Sequence, residues 1–283
     1  MNLLPLLALL GSLISLCIGS SYAKTLFPAL GVEAVSALRI GLSALILFAV
    51  LRPWRMNWSR HELGALALYG STLGLMNLMF YESIARIPLA LAIAIEFTGP
   101  LAVAIWNSHR WLDALWLALA VLGLSMLLPW SGFEGADLDP IGMAYALAAA
   151  VCWALYIVLG QKVARRHGVQ AVAMGMAFAA VLVVPIGAMQ PEVDWAQSHW
   201  WLWGLAVALF SSALPYALEI YALRHMRRHT FSIGLSLEPA VGAVAGWLIL
   251  SESLTVLQGL AIVLVICACM GSAWPRRPPA HGT

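Results

Sequence analysis

The chain has 283 residues, of which 62% are apolar and 10% charged, and it carries a formal net charge of +2. Soluble chains run nearer about half apolar and about a quarter charged, and a mean hydropathy of +0.88 cannot be hidden in one aqueous core, because a folded soluble domain still exposes much of its surface. A soluble globular protein is excluded, and the solvent has to be a bilayer.

An α-helix rising about 1.5 Å per residue needs about 20 apolar residues to cross the hydrocarbon. In chain order, seven stretches without Asp, Glu, Lys or Arg are long enough: 1–23, 63–81, 114–133, 140–161, 168–191, 195–218 and 253–275. Three more are interrupted once: 34–51 by Arg39, 87–109 by Glu96 and 229–251 by Glu238. The expectation is an all-α polytopic membrane protein of ten transmembrane helices. The apolar N-terminal run ends in Ser21-Tyr22-Ala23, which looks like a cleavage site, but no Lys or Arg precedes residue 24, so a first span is expected rather than a signal peptide. Cys17, Cys152, Cys267 and Cys269 all fall inside predicted spans, where cysteine behaves as a small buried hydrophobe and implies no disulfide framework.

Lys and Arg stay preferentially in cytoplasmic loops. With the N-terminus inside, the inner loops and tail hold twelve of them, Arg52, Arg55, Arg60, Arg110, Lys162, Arg165, Arg166, Arg224, Arg227, Arg228, Arg276 and Arg277, against Lys24 and Arg86 outside. Both termini are therefore expected in the cytoplasm. The outer connections carry Glu134, Asp137, Asp139, Glu192 and Asp194, so the small net charge conceals a separation across the membrane and gives no sign of nucleic-acid binding.

The chain repeats itself. Gly31-Val32-Glu33-Ala34-Val35 is echoed by Gly168-Val169-Gln170-Ala171-Val172. Glu96 lies ten residues after Arg86 and fourteen before Arg110, and Glu238 lies ten after Arg228 and fourteen before Glu252. The fourth and ninth spans read as one element used twice. Five is odd, so the second copy enters from the opposite face, giving two inverted five-helix repeats, 1–133 and 140–274, around an acidic outer connector, 134–139, with a cytoplasmic tail at 275–283. Inverted-repeat carriers place substrate near the midplane, where the halves meet.

Proline inside a helix frees the carbonyl four residues back. Pro100, Pro215 and Pro239 are expected to free those of Glu96, Ser211 and Leu235 and to break their helices, whereas Pro185 reads as a plain kink. Exposed backbone at that depth is tolerated only against protein or a wet cavity. Gly70-x3-Gly74 and Gly242-x3-Gly246 read as packing seams.

A charge near the bilayer centre costs about 2.5–3.5 kcal/mol on insertion scales, so Arg39, Glu96 and Glu238 together cost about 8–10 kcal/mol. Pairing, protonation or a water-filled cavity has to offset this. Either Arg39 holds a substrate carboxylate while Glu residues hold an ammonium group or a coupling proton, or the three form a structural ion pair locking their helices. Glu82, with Arg86 four residues on, reads as an interfacial pair. Polar and aromatic residues share faces at helical spacing: Ser36, Arg39 and Ser43; Gly70, Gly74, Asn77 and Tyr81; Trp153, Tyr156 and Gly160; Tyr216 and Glu219. Lipid rewards none of these, so they are expected to point inward. Trp153 and Trp247 are the tryptophans expected at a cavity, and most of the others sit near span ends as interface anchors.

Signals for enzyme chemistry are missing: no phosphate loop, dinucleotide fingerprint, Gly-x-Ser-x-Gly elbow or Cys-x2-Cys pair. No cofactor is expected. His225 and His229 have metal-ligand spacing, but Arg224, Arg227 and Arg228 would repel a cation, so no metal is expected either.

Residues 5–274 resemble the EamA-type branch of the drug/metabolite transporter superfamily, and within it the bacterial inner-membrane threonine/homoserine exporters. The resemblance rests on Ala37-Leu38-Arg39, Glu96-Phe97-Thr98-Gly99-Pro100-Leu101-Ala102-Val103-Ala104, Ala213-Leu214-Pro215-Tyr216-Ala217-Leu218-Glu219 and Leu237-Glu238-Pro239-Ala240. It implies efflux of small hydrophilic amino acids driven by the proton-motive force, and it puts Arg39, Glu96, Glu219 and Glu238 in motif positions without assigning their roles. Glu82 departs from the pattern, where an apolar residue is usual.

The expected function is a proton-coupled amino-acid exporter of the bacterial inner membrane, an antiporter working by alternating access. Its expected partners are the bilayer, the amino acid and protons. Arg39, Asn77, Tyr81, Glu96, Trp153, Tyr156, Tyr216 and Glu219 are the candidate substrate contacts, and Glu96 and Glu238 the candidate proton carriers. The alternatives are a broad metabolite or drug effluxer on the same scaffold and a non-transporting membrane subunit.

Overall fold

The computed structural model describes residues 3–106, 111–126, 139–167, 169–191, 193–225 and 234–273, and among these the regular structure is helical throughout. The helices are α1 (Leu4–Leu30), α2 (Val32–Leu51), α3 (Arg60–Arg86), α4 (Leu89–Glu96), α5 (Thr98–Trp106), α6 (Trp111–Ser125), α7 (Pro140–His167), α8 (Val169–Ala188), α9 (Ser198–Ala208), α10 (Leu214–His225), α11 (Glu238–Leu250) and α12 (Val256–Ala273). Leu209–Ala213, between α9 and α10, is wound as a π-helix. Among the described residues, six helical stretches are long and apolar enough to cross a membrane, and 89–103, 238–250 and 256–271 are shorter apolar helices. The protein is a multi-pass membrane protein. Most of the connector 134–139 and all of the tail 275–283 lie outside the described residues, as do Arg110, Arg227, Arg228 and His229.

Several helices outrun their apolar stretches: α1 continues to Leu30, α3 to Arg86 and α10 to His225. Long side chains such as Lys and Arg lose little freedom in a helix, so winding continues past the apolar run. Lys24, expected in an outer loop, therefore lies inside α1. The ends are set locally. Ser59 and Glu62 form a reciprocal capping box at the start of α3, and Gly31, at φ +79°, makes the turn from α1 to α2, where a Cβ would be strained.

The densest packing runs between the two halves of the chain rather than within them. α1 lies against α10, α11 and the π segment; α2 against α8 and α9; α3 against α7 and α8; α4 against α7 and α11; α5 against α7; and α6 against α12. Small residues permit these approaches. A Cβ on Gly70 would strike Gly175 and Phe178, and one on Gly99 would strike the Ala150 backbone. Every residue of α4 is buried, so this short helix runs through the centre of the bundle.

Candidate functional site

Both Glu-bearing spans are broken beside their prolines. α4 ends at Glu96, Phe97 forms a turn, and α5 begins at Thr98, whose Oγ1 donates to the Ile95 carbonyl at 2.6 Å. In the second half, Ser236 and Leu237 form a turn and α11 begins at Glu238 with Pro239 in its first turn. The third break takes another form. Pro215 follows the π segment, and the Ser211 carbonyl accepts from Arg39 Nη2 at 3.0 Å. The hydroxyls of Ser15 and Ser43 occupy the neighbouring carbonyls of Phe210 and Ala208 at 2.7 Å and 3.2 Å. Ser12 Oγ donates toward the Pro215 carbonyl and Glu219 Oε1, at 3.1 Å each. The π winding thus trades helix bonds for side-chain bonds from α1 and α2.

These breaks surround a cavity of about 590 Å³. Arg39, Asn77, Glu96, Trp153, Tyr156, Tyr216, Glu219 and Glu238 all line it, with Pro215, whereas Pro100 and Pro239 are not part of the lining. Tyr81 is not in the lining. It is fully buried, and its ring lies 4.8 Å from Arg39 Cζ, so its contact is with the guanidinium rather than with the cavity. Asn77 Nδ2 is tied back to the Leu73 carbonyl at 2.8 Å. Trp153 packs edge-on to Phe97, the residue of the first break, with centroids 4.9 Å apart, and Tyr156 stacks on Tyr69 at the same distance.

Arg39 is 4% exposed. Ser212 Oγ accepts from its Nε at 3.1 Å, completing a cradle of hydroxyl, carbonyl and ring. Among the described residues no carboxylate lies within 4 Å of it, so it is not locked to Glu96 or Glu238 in an ion pair. Nη1 is buried without a partner, and a buried donor left unpaired costs about 1–3 kcal/mol. The carboxylates of Glu96 and Glu238, 7% and 8% exposed by residue, likewise have no described side-chain partner. Among the described residues the site therefore holds one cation and three acids, unneutralised by contact, around a void.

Other expectations fare differently. Trp247 is 65% exposed, because Val244, Trp247 and Leu248 form the outer face of α11 while Gly242, Ala245 and Gly246 face inward. Glu82 does meet Arg86, at 3.8 Å, and Arg86 also reaches Asp139 at 3.5 Å. A more open depression of about 800 Å³ is lined by α2, α8, Trp195 and Trp201, but its lining has no ionisable side chain. No cluster of three or more metal-ligating side chains occurs among the described residues. The α1 serines escaped the sequence reading, although Ser12, Ser15 and Gly19 fall at one-face spacing and could have revealed the stripe.

A chain whose described residues are helical, that spans the bilayer several times and encloses charged groups around a void, has the build of a membrane transporter. Residues 140–274 match the EamA-like transporter family. The chain is 47% identical to the threonine/homoserine exporter RhtA of Salmonella typhimurium strain LT2, over 98% of this chain and 94% of that one. It is also 47% identical to the exporter of the same name from Escherichia coli K12, over 95% and 91%. An uncharacterized transporter of Clostridium kluyveri is 25% identical over 80% of this chain and 78% of its own. A protein of known crystal structure superposes with a TM-score of 0.62 over 93% of this chain and 95% of its own, at 18% identity, which speaks to the fold alone. The chain belongs to the EamA-like transporter family, and it is a transporter rather than an enzyme.

Proposed function

We propose that this protein exports small hydrophilic amino acids, threonine and homoserine among them, across the bacterial inner membrane in exchange for protons. The observation that carries this reading is Arg39: a buried guanidinium with a free Nη1, beside a cavity, and without an acidic partner among the described residues. A substrate carboxylate satisfies that donor through a charge-assisted hydrogen bond. Glu96, which has no described intramolecular partner, takes the ammonium group, and Glu219, already holding Ser12, stands as the second candidate. Glu238 exchanges the proton. The names of the RhtA relatives supply the cargo class.

The helix pairing supports ten spans in two inverted repeats, 1–133 and 140–274. Moving each element five spans along turns α1 against α10 into α7 against α3, α1 against α11 into α7 against α4 and α5, and α2 against α9 into α8 against α3, while α2–α8, α4–α11 and α6–α12 map onto themselves. The second proposed repeat covers the same residues as the family match. Rocking of one half against the other about the midplane cavity then exposes it to each side in turn. Placing the N-terminus inside puts twelve Lys and Arg on the cytoplasmic side, which supports cytoplasmic positions for both termini.

The test is proteoliposomes loaded with labelled threonine, with and without an imposed pH gradient. Efflux that accelerates when protons can move inward in exchange is the expected result. Threonine flux equal to that of empty liposomes overturns the reading.

A further inference from the structure

We propose that Lys24 and Glu252 form the outer gate of the cavity, and that α4 links this gate to the substrate site. The proposal rests on the transporter reading above, and on geometry away from the cavity lining. Lys24 Nζ meets Glu252 Oε1 at 2.6 Å and the Ile87 carbonyl at 3.1 Å, while Glu252 Oε2 accepts from the Leu89 N–H at 2.9 Å. One pair thus ties three places: α1, the α3–α4 connection and the α11–α12 connection. Its side chains are 20% and 15% exposed, so it is shielded far better than a surface pair, and both partners are also anchored on backbone.

The tie lies just beyond one end of the void. Lys24 lies one helical turn beyond Ser20, which lines the cavity. The Gly31, Ile87 and Ser251 connections lie at this same end and the 52–60 connection at the other, so the proposed cytoplasmic placement of the basic loops makes it the outer end. The α11–α12 connection is shaped to deliver the carboxylate. Ser251 turns at φ 55°, Glu252 N–H returns to the Gly246 carbonyl at 3.1 Å, and a Cβ on Gly246 would lie 2.6 Å from Glu252 Oε2.

α4 makes the tie more than a latch. Glu252 holds the first N–H of this wholly buried helix and Glu96 is its last residue, about 10 Å away along the axis. A short helix packed on all sides moves as a rod, so a shift of Glu96 when cargo or a proton arrives is delivered to Leu89, where it competes with the Glu252 bond. Loading the site and loosening the outer tie become one movement.

The experiment places a single cysteine at Leu16, a cavity-lining position, with the four native cysteines replaced by Ala, and measures labelling by a charged membrane-impermeant maleimide from each side of the membrane. With Lys24 and Glu252 intact, labelling from outside is slow. K24M and E252Q, made in parallel so that one decides if the other does not fold, raise the outside rate by roughly tenfold or more, and the exchange K24E/E252K lowers it again. Outside labelling that is unchanged in a folded K24M or E252Q protein overturns the gate. Because the readout needs no cargo, the gate fails or stands independently of the proposed substrate.

Discussion

Arg39 and Ser211 meet donor to carbonyl at 3.0 Å, inside the π segment that runs into Pro215. In a regular α-helix residue 215 would be the donor to that carbonyl, and a proline has no N–H to give. The guanidinium is therefore oriented by a backbone defect on the facing helix, which leaves Nη1 as the one nitrogen still to be satisfied.

Replacing Arg39 by Gln removes the charged donor while leaving a polar side chain. The expected loss of threonine flux at subsaturating concentration is about 10- to 150-fold, the equivalent of one charge-assisted hydrogen bond, with normal amounts of protein in the membrane. Arg39→Lys is expected to fail nearly as badly, because an ammonium cannot serve Ser211, Ser212 and a carboxylate with fork geometry. Initial rates in proteoliposomes, set against immunodetected protein, check both.

Ser212→Ala is expected to act more gently and in a diagnostic way. It removes a hydroxyl that orients Arg39 without touching the charge, so apparent KM rises about 2- to 10-fold while the maximal rate stays close to that of the parent. Ser212→Thr, which keeps the hydroxyl, restores KM. A fall in maximal rate alone would place Ser212 outside the binding step.

Glu238→Gln separates coupling from binding. The variant is expected to keep one-for-one exchange of labelled for unlabelled threonine and to lose accumulation driven by a pH gradient. Glu96→Gln is expected to lose both. Counterflow and gradient-driven assays on the same vesicle preparations distinguish the two residues.

Gly99→Ala tests the packing of the first break. Its new methyl group collides with the Ala150 backbone on α7, and overpacking of this kind costs about 1–3 kcal/mol. Gly64, where no described atom lies within 4 Å of an added Cβ, is the matched control, and Gly64→Ala is expected to leave thermal unfolding in detergent unchanged or slightly raised.

The membrane class was legible in composition, and the charged spans were legible because Arg39, Glu96 and Glu238 stand alone in apolar runs. Hydropathy alone could not tell the two faces of α11 apart: Trp247 and Gly246 are neighbours in sequence, yet one faces out and the other packs against Glu252. Tyr81 fell on the expected inner stripe of α3, but a periodicity says only which way a side chain points, not whether it meets a void or a guanidinium. The Lys24–Glu252 tie was hidden because its partners are 228 residues apart and each looked like an ordinary loop charge. Glu252 did carry a trace, standing fourteen residues after Glu238 where its counterpart after Glu96 is basic.

The eight residues of α4 are screened from lipid by their neighbours. A thinner or thicker bilayer makes long exposed helices such as α1 and α3 tilt to match it, but it has no direct grip on the segment that carries Glu96. The depth of that carboxylate is set by protein packing, so the carrier is expected to work at similar rates in vesicles made from short-chain and long-chain phospholipids, until the mismatch is large enough to part the two halves themselves.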